Sequence, residues 1–64
     1  MWTTYLFEIR GNTELCGEQF LTELEDASRV EHVFHAREYF PDEKLVCLGE
    51  VSPLEAEMWG LDTY

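Results

Sequence analysis

TTYLFEIR, the stretch Thr3–Arg10, alternates in polarity along its whole length. Tyr5, Phe7 and Ile9 share one side of an extended chain, because successive side chains of a strand point to opposite faces. This alternation predicts a β-strand with one strongly apolar face. A strand of this kind needs other elements of the chain to cover that face.

A turn signal follows the strand directly. Gly11-Asn12 is typical of a tight hairpin turn, because glycine adopts positive φ without a steric cost. The segment Glu14–Leu21 is predicted to return as the second strand, with Gly17 as a β-bulge. A helix that begins near Gly17 is the alternative, since apolar residues also recur at positions 16, 20 and 24.

Two later segments have the form of a capping box, in which a hydroxyl and a carboxylate three residues apart close the first helical turn. Thr22–Glu25 is one and Ser28–Glu31 is the other, so the main helix is predicted to begin at one of them. Pro41 ends the helix. Its buried face is predicted from the apolar residues that share one side at helical spacing: Leu24, Ala27, Val30, Val33, Phe34 and Phe40.

Two further elements are predicted in the last third of the chain. Lys44–Val51 has apolar residues at both odd and even positions, which indicates a strand covered on both faces. Ser52–Glu55 (SPLE) then combines an N-cap serine, a proline in the first turn and a glutamate at the third position. We expect a short helix that ends at Trp59, with Gly60 as its stop.

The predicted order is therefore β-β-α-β-α, an α+β fold. We expect a small, antiparallel-rich, three-stranded sheet packed on one main helix, with the third strand beside the first. At 64 residues and 7.5 kDa the chain is expected to be a single domain, residues 1–64.

Composition restricts the function. The chain is 45% hydrophobic and 14% aromatic, which excludes a disordered acidic tail. It carries 14 acidic and 4 basic residues, a net charge of −10. A protein that binds the phosphate backbone needs lysine and arginine to displace counterions, and an anionic membrane surface also selects basic residues. We therefore expect no direct binding of nucleic acid and no membrane partner.

Catalytic and metal-binding motifs are scarce. There is no glycine-rich phosphate loop and no nucleophile paired with a base, so we expect a protein that is not an enzyme and has no cofactor. His32 and His35 lie three residues apart, beside Glu31 and Glu38. Such a group can in principle hold a metal ion, but the same spacing is common on exposed helices, and we expect no metal.

The two cysteines, Cys16 and Cys47, fit no zinc spacing and no disulfide framework. We expect both thiols to be reduced and partly buried. No signal peptide and no apolar span of about 18 residues is visible. These features predict a cytoplasmic protein.

The acidic residues are concentrated in two segments. Residues 1–26 hold six acids and one base, and residues 42–64 hold six acids and one base, so each segment has a net charge of −5. Acids in the first turn of a helix complement its dipole, but strands disfavour carboxylates, so the strand acids need another explanation. We predict that an acidic ridge binds a partner, with help from Asp42 and Glu43. The ridge runs from Glu14 to Asp26 and consists of Glu14, Glu18, Glu23, Glu25 and Asp26.

Such a ridge imitates a nucleic-acid backbone, which carries one charge per about 1.7 Å of duplex. The predicted partner is a basic nucleic-acid-binding protein or complex, which the acidic surface would find by electrostatic steering.

In size, acidity and element order the chain resembles the small acidic proteins that phages encode against host machinery, among them anti-CRISPR proteins and other DNA mimics. The stretch Phe20–Ala27 and the helix end Tyr39-Phe40-Pro41 are similar to the corresponding transitions in small phage inhibitors of bacterial RNA polymerase. The resemblance implies a non-enzymatic inhibitor in the host bacterial cytoplasm. A CRISPR surveillance complex, which reads duplex DNA beside its target, is one partner that it implies.

Two alternatives stay open. One is an acidic adaptor or homodimeric module that binds through an apolar sheet face, since Leu6, Val46 and Leu48 need a cover. The other is an inhibitor of host RNA polymerase. Four aromatic residues near element ends or off the main helical face are candidate interface anchors: Trp2, Tyr39, Trp59 and Tyr64. The other interpretation is that they close a thin core, and it is favoured for Trp59.

Overall fold

The computed structural model describes all 64 residues. Its elements are β1 (Trp2–Arg10), β2 (Gln19–Glu25), α1 (Arg29–Tyr39), β3 (Lys44–Val51) and α2 (Pro53–Trp59). The strands form one antiparallel sheet in the order β2-β1-β3. The α+β fold, the order of elements and the position of the third strand beside the first are confirmed.

The alternation of β1 gives the sheet its two faces. The face that carries Tyr5, Phe7 and Ile9 packs against α1, and we call it the α1 face. Its centre is a buried cluster in which Phe20 of β2 and Ala36 of α1 join Phe7 and Ile9. The opposite face, which carries the even-numbered residues of β1, lies under α2, and we call it the α2 face.

The second strand lies further along the chain than predicted. Residues 11–18 form a loop, so the predictions of a return strand over Glu14–Leu21 and of a helix near Gly17 were both wrong. Local turns, in which backbone amides of residues 16 and 18 donate to carbonyls three residues earlier, take up this segment. Gly17, at φ 94°, precedes β2, so it is not a bulge within that strand. Its amide donates to the Ile9 carbonyl at 2.7 Å, and the Ile9 amide donates to the Glu18 carbonyl at 2.8 Å. The irregularity in the sheet lies between Leu6 and Phe7, where β1 pairs with β3.

The main helix begins at the second capping box. The Ser28 hydroxyl accepts from the Glu31 amide at 3.4 Å, and the Glu31 carboxylate accepts from the Ser28 amide at 3.3 Å. The first capping box was wrong, because Thr22 lies in the middle of β2 and is fully buried. There its hydroxyl bonds to His32 instead of capping a helix.

The predicted buried face of α1 was correct only in part: Val33 and Phe40 pack against the core. Val30 and Phe34 are 61% and 60% exposed, and the fully buried residues are His32 and Ala36. Leu24 and Ala27, two of the predicted positions, precede the helix. Arg37, which lies within the predicted face, points to solvent. Hydrogen bonds from the His32 ring to threonine hydroxyls of the sheet fix the rotation of α1, and the small Ala36 lets the helix approach the strands closely.

The short helix forms as predicted. The Ser52 hydroxyl accepts from the Glu55 amide at 3.2 Å, and Gly60 ends the helix in the left-handed conformation at φ 61°. On the α2 face, Met58 and Trp59 of α2 share a groove with Leu6 of β1. The helix therefore lies beside Leu6, whereas Leu48, which was also expected to need a cover, stays 43% exposed.

The last four residues add an unpredicted strip to the sheet. The Leu21 amide donates to the Asp62 carbonyl, and the Tyr64 amide donates to the Leu21 carbonyl, both at 2.8 Å. The tail thus runs parallel to β2 and closes its outer edge. The opposite edge strand, β3, has no fully buried residue and exposes Leu48, so the prediction that it is covered on both faces was wrong.

The observed orientation of α1, with Phe34 in solvent and Phe20 of β2 in the core, is tested by two matched substitutions. Phe34→Ala should change the free energy of unfolding by no more than about 0.5 kcal/mol, because that ring already faces water. Phe20→Ala should cost about 3–5 kcal/mol, because its ring is buried. A domain of this size holds only about 3–10 kcal/mol in total, so the second variant should be largely unfolded. Urea denaturation followed by circular dichroism measures both. Equal losses would contradict the assigned helix face.

Candidate partner-binding surface

The seven acids predicted to bind a partner fall into two groups. Glu14 and Glu18 lie exposed in the loop between β1 and β2, and Asp42 and Glu43 lie in the turn after α1. The Thr13 hydroxyl donates to the Glu43 carboxylate, which holds the turn against the loop. We call these four residues the hairpin-end acids.

The other three lie where β2 ends. Glu23 pairs with Thr4 and Glu25 pairs with Trp2 across the strands, so both acids are on the α2 face. Asp26 follows at φ 50°, a conformation that aspartate tolerates better than most residues, and its carboxylate lies 2.5 Å from the Met1 amino group. We call Glu23, Glu25 and Asp26 the sheet-end acids.

A continuous ridge does not connect the two groups. Glu18 and Glu23 are five residues apart, which is about 17 Å along a strand at about 3.3 Å per residue. Between them Phe20, Leu21 and Thr22 are buried, so this stretch of β2 offers no acidic surface. The structure replaces the expected ridge with an acidic patch at each end of β2.

The two patches differ in their surroundings. At the hairpin end Arg10 and Lys44 face each other across β1 and β3. The Arg10 guanidinium donates to Glu8 at 2.7 Å and the Gln19 amide donates at 3.2 Å, and these bonds hold the pKa of Glu8 below its ordinary value. At the sheet end the Met1 amino group pairs with Asp26, and no lysine or arginine pairs with Glu23 or Glu25.

The structure also brings in an acid that the prediction missed. Glu57 of α2 lines the same groove as Glu23, together with Pro53, Leu54 and Leu61. The two carboxylates come from positions 34 residues apart in the sequence. A signal was present in the chain, because no lysine or arginine follows Lys44, but only the packing of α2 on the sheet gives it a location.

Most of the carboxylates have no partner within the protein. Five of the 14 take part in a hydrogen bond or ion pair: Glu8, Asp26, Glu31, Glu43 and Glu55. The other nine accept no such bond and point to solvent or to a groove. They are Glu14, Glu18, Glu23, Glu25, Glu38, Asp42, Glu50, Glu57 and Asp62.

The histidines do not form a metal site. The Thr3 hydroxyl lies 2.7 Å from His32 Nε2 and can give its proton to the Leu24 carbonyl, so we assign the ring proton to Nε2. The Thr22 hydroxyl then donates to Nδ1, also at 2.7 Å. Both ring nitrogens are occupied, and no group of three or more histidine, cysteine, aspartate or glutamate side chains is arranged to hold a metal ion.

Cys16 is exposed in the loop, in contrast to the expectation that both thiols are partly buried, and Cys47 is half-buried on β3. Neither cysteine forms a disulfide. Neither helix combines the length and the apolar character that crossing a lipid bilayer requires.

Comparison with protein-family models, with curated proteins and with solved structures finds no match for this chain.

The buried His32 makes stability depend on pH. Burial, and next the nearby charge of His35, lower its pKa from the usual 6.5, while Glu31 and Glu50 act in the opposite direction. The unfolded chain therefore binds this proton more readily, and stability present above about pH 6.5 is lost as the pH falls toward the lowered pKa.

We expect the free energy of unfolding to drop between about pH 7.5 and pH 5.5, by at most about 1.4 kcal/mol per pH unit from this group. Denaturant titrations across this range test the expectation. His32→Gln should remove the drop, whereas His35→Gln should keep most of it. A proton NMR titration in which His32 changes state at or above its usual pKa would contradict the assignment.

Proposed function

We propose that this protein is a non-enzymatic binding protein that occupies a basic, nucleic-acid-binding surface of another protein. The observation that carries the proposal is the set of nine free carboxylates on a chain with only four basic residues. Carboxylates without internal partners contribute nothing to the fold as ion pairs, and their mutual repulsion opposes it. A cationic partner is the interaction that they can satisfy.

The sign and amount of charge support a partner that binds nucleic acid. The chain carries a net charge of −10, with acidic patches at the two ends of β2. DNA is also a dense polyanion, with one charge per about 3.4 Å of each strand, so a surface that binds its backbone is basic. A basic channel, such as the channel that holds the heteroduplex in a CRISPR effector, is a partner of this kind.

The grooves favour binding over catalysis. None of the four surface grooves is lined by a histidine or a cysteine, and the buried His32 already uses both ring nitrogens. We therefore propose that the protein acts by occupying its partner in a fixed stoichiometry.

The alternative of an adaptor or homodimer that binds through a bare sheet face is less favoured. Leu21 on this face is buried, and Leu6 lies in a groove beside Met58 and Trp59 of α2 and not on a flat apolar sheet surface. Two copies of the chain would also bring together two net charges of −10.

Charge reversal tests the proposal. One variant, E23K/E25K/E57K, changes the sheet end and its groove, and a matched variant, E14K/E18K/D42K, changes the hairpin end. Each lowers the net charge from −10 to −4, so a difference between them reports position and not total charge. Both leave untouched the acids that cap helices or pair within the protein.

The immobilised protein is presented with the fraction of a bacterial lysate that DNA-cellulose retains. We expect it to bind proteins from this fraction, to release them to a duplex of about 20 base pairs, and to lose most retention between about 50 and 200 mM salt. The sheet-end variant should lose at least about tenfold more retention than its match. Retention that duplex DNA does not displace would overturn the proposal. Equal losses in the two variants would overturn the role of the sheet end.

A further inference from the structure

The α2 helix exposes a pair of large apolar residues. Leu54 is 69% exposed and Met58 is 77% exposed. They are four residues apart in a helix, so they lie on one side, one turn from each other. Both line grooves between α2 and the sheet, so their exposed apolar surface adjoins that of the grooves.

A groove runs beside this pair along the boundary between α2 and the sheet. One half is lined by Glu23 and Glu57, and the other half by Leu6, Met58 and Trp59. Leu61 lines both halves, so they adjoin at this residue. We call the two halves together the α2 groove.

The charge around the groove has one sign. Residues 45–64 contain four acids and no lysine or arginine. A cationic ligand meets no opposing charge there, whereas a second copy of this chain or an anionic lipid surface is repelled. The groove therefore selects a ligand that combines an apolar side chain with a positive charge.

We propose that the α2 groove binds a cationic amphipathic helix of a partner protein. An apolar side chain of that helix enters the half lined by Leu6, Met58 and Trp59, and a lysine or arginine lies between Glu23 and Glu57. This assignment rests on the proposed function, because it names the segment through which a basic partner is held.

Dimensions and spacing favour a helix. The seven residues of α2 span about 10.5 Å, which matches about two turns of a second helix. Contacts at intervals of three or four residues are how one amphipathic helix lies against an apolar surface, and Leu54 and Met58 provide that interval.

The chain supplies a matched control on its other helix. Val30 and Phe34 form an exposed apolar pair at the same spacing on α1, 61% and 60% exposed. Residues 27–41 around them carry two acids and two bases, so this pair lacks the negative surround. Alanine at either pair should leave the fold intact, because all four side chains face solvent.

The probe is a synthetic peptide of about 14 residues whose leucines and lysines form an amphipathic helix. Calorimetry measures its affinity, and amide chemical shifts in NMR spectra locate it. A peptide of the same composition in scrambled order, and one with glutamate in place of lysine, are the ligand controls. We expect the ordered cationic peptide alone to bind, with shifts centred on α2.

Substitutions then divide the site into its parts. L54A/M58A should weaken the peptide at least about tenfold, and V30A/F34A should change its affinity less than about twofold. E23Q/E57Q should weaken binding at low salt by about fivefold or more, with the difference disappearing at high salt. E38Q/E50Q, which changes the net charge equally, should have little effect.

The outcomes separate this inference from the proposed function. If the two apolar pairs give equal losses, if the shifts lie away from α2, or if the protein itself dimerises through α2, the groove assignment is overturned. Should that happen while duplex DNA still displaces the lysate proteins, the proposed function stands. If the peptide binds the α2 groove specifically but duplex DNA does not displace the lysate proteins, the groove assignment stands and the proposed function is overturned.

Discussion

The packing of Phe20 is the contact on which the rest of the structure depends. Its ring stacks on Phe7 at 5.5 Å between ring centres, lies 4.7 Å from Phe40, and meets the edge of Tyr64 at 5.6 Å. One side chain therefore joins β1, the end of α1 and the tail. In a chain too short for a large core, this cluster of rings fixes how the helix and the tail lie on the sheet.

The acidic charge coexists with this small core because most of it is kept far from the centre. Two like charges about 10 Å apart in water repel by only about 0.4 kcal/mol, less after screening by salt. Glu31 and Glu55 also stabilise the helices that they begin. The remaining repulsion is spread over exposed loops, strand ends and α2. The fold thus tolerates a net charge of −10 and leaves nine carboxylates free for a partner.

The proposed binding surface lies where separate parts of the chain meet. The β2 strand supplies Glu23, and α2 supplies Glu57 and Met58, because the tail and α2 fold back over the face of the sheet that α1 leaves open. At the other end of β2, Arg10 and Lys44 lie beside each other on β1 and β3, and Arg10 pairs with Glu8. At the sheet end the one cation that pairs with an acid is the Met1 amino group, on Asp26. The two acidic ends therefore differ in their surroundings, although their acids look alike in the sequence.

Local signals in the sequence were enough for β1, for the capping box at Ser28, for α2 and for the order of elements, because alternation and capping are decided within a few residues. Composition fixed the sign and amount of charge in the same way. Tertiary structure decided the extent of β2, whose edge is paired by the C-terminal tail, and the buried side of α1, where His32 bonds to hydroxyls from both neighbouring strands. It also placed the acids in two groups, one at each end of β2, and brought Glu57 into the same groove as Glu23. These choices depend on contacts between residues far apart in the chain, which no local pattern contains.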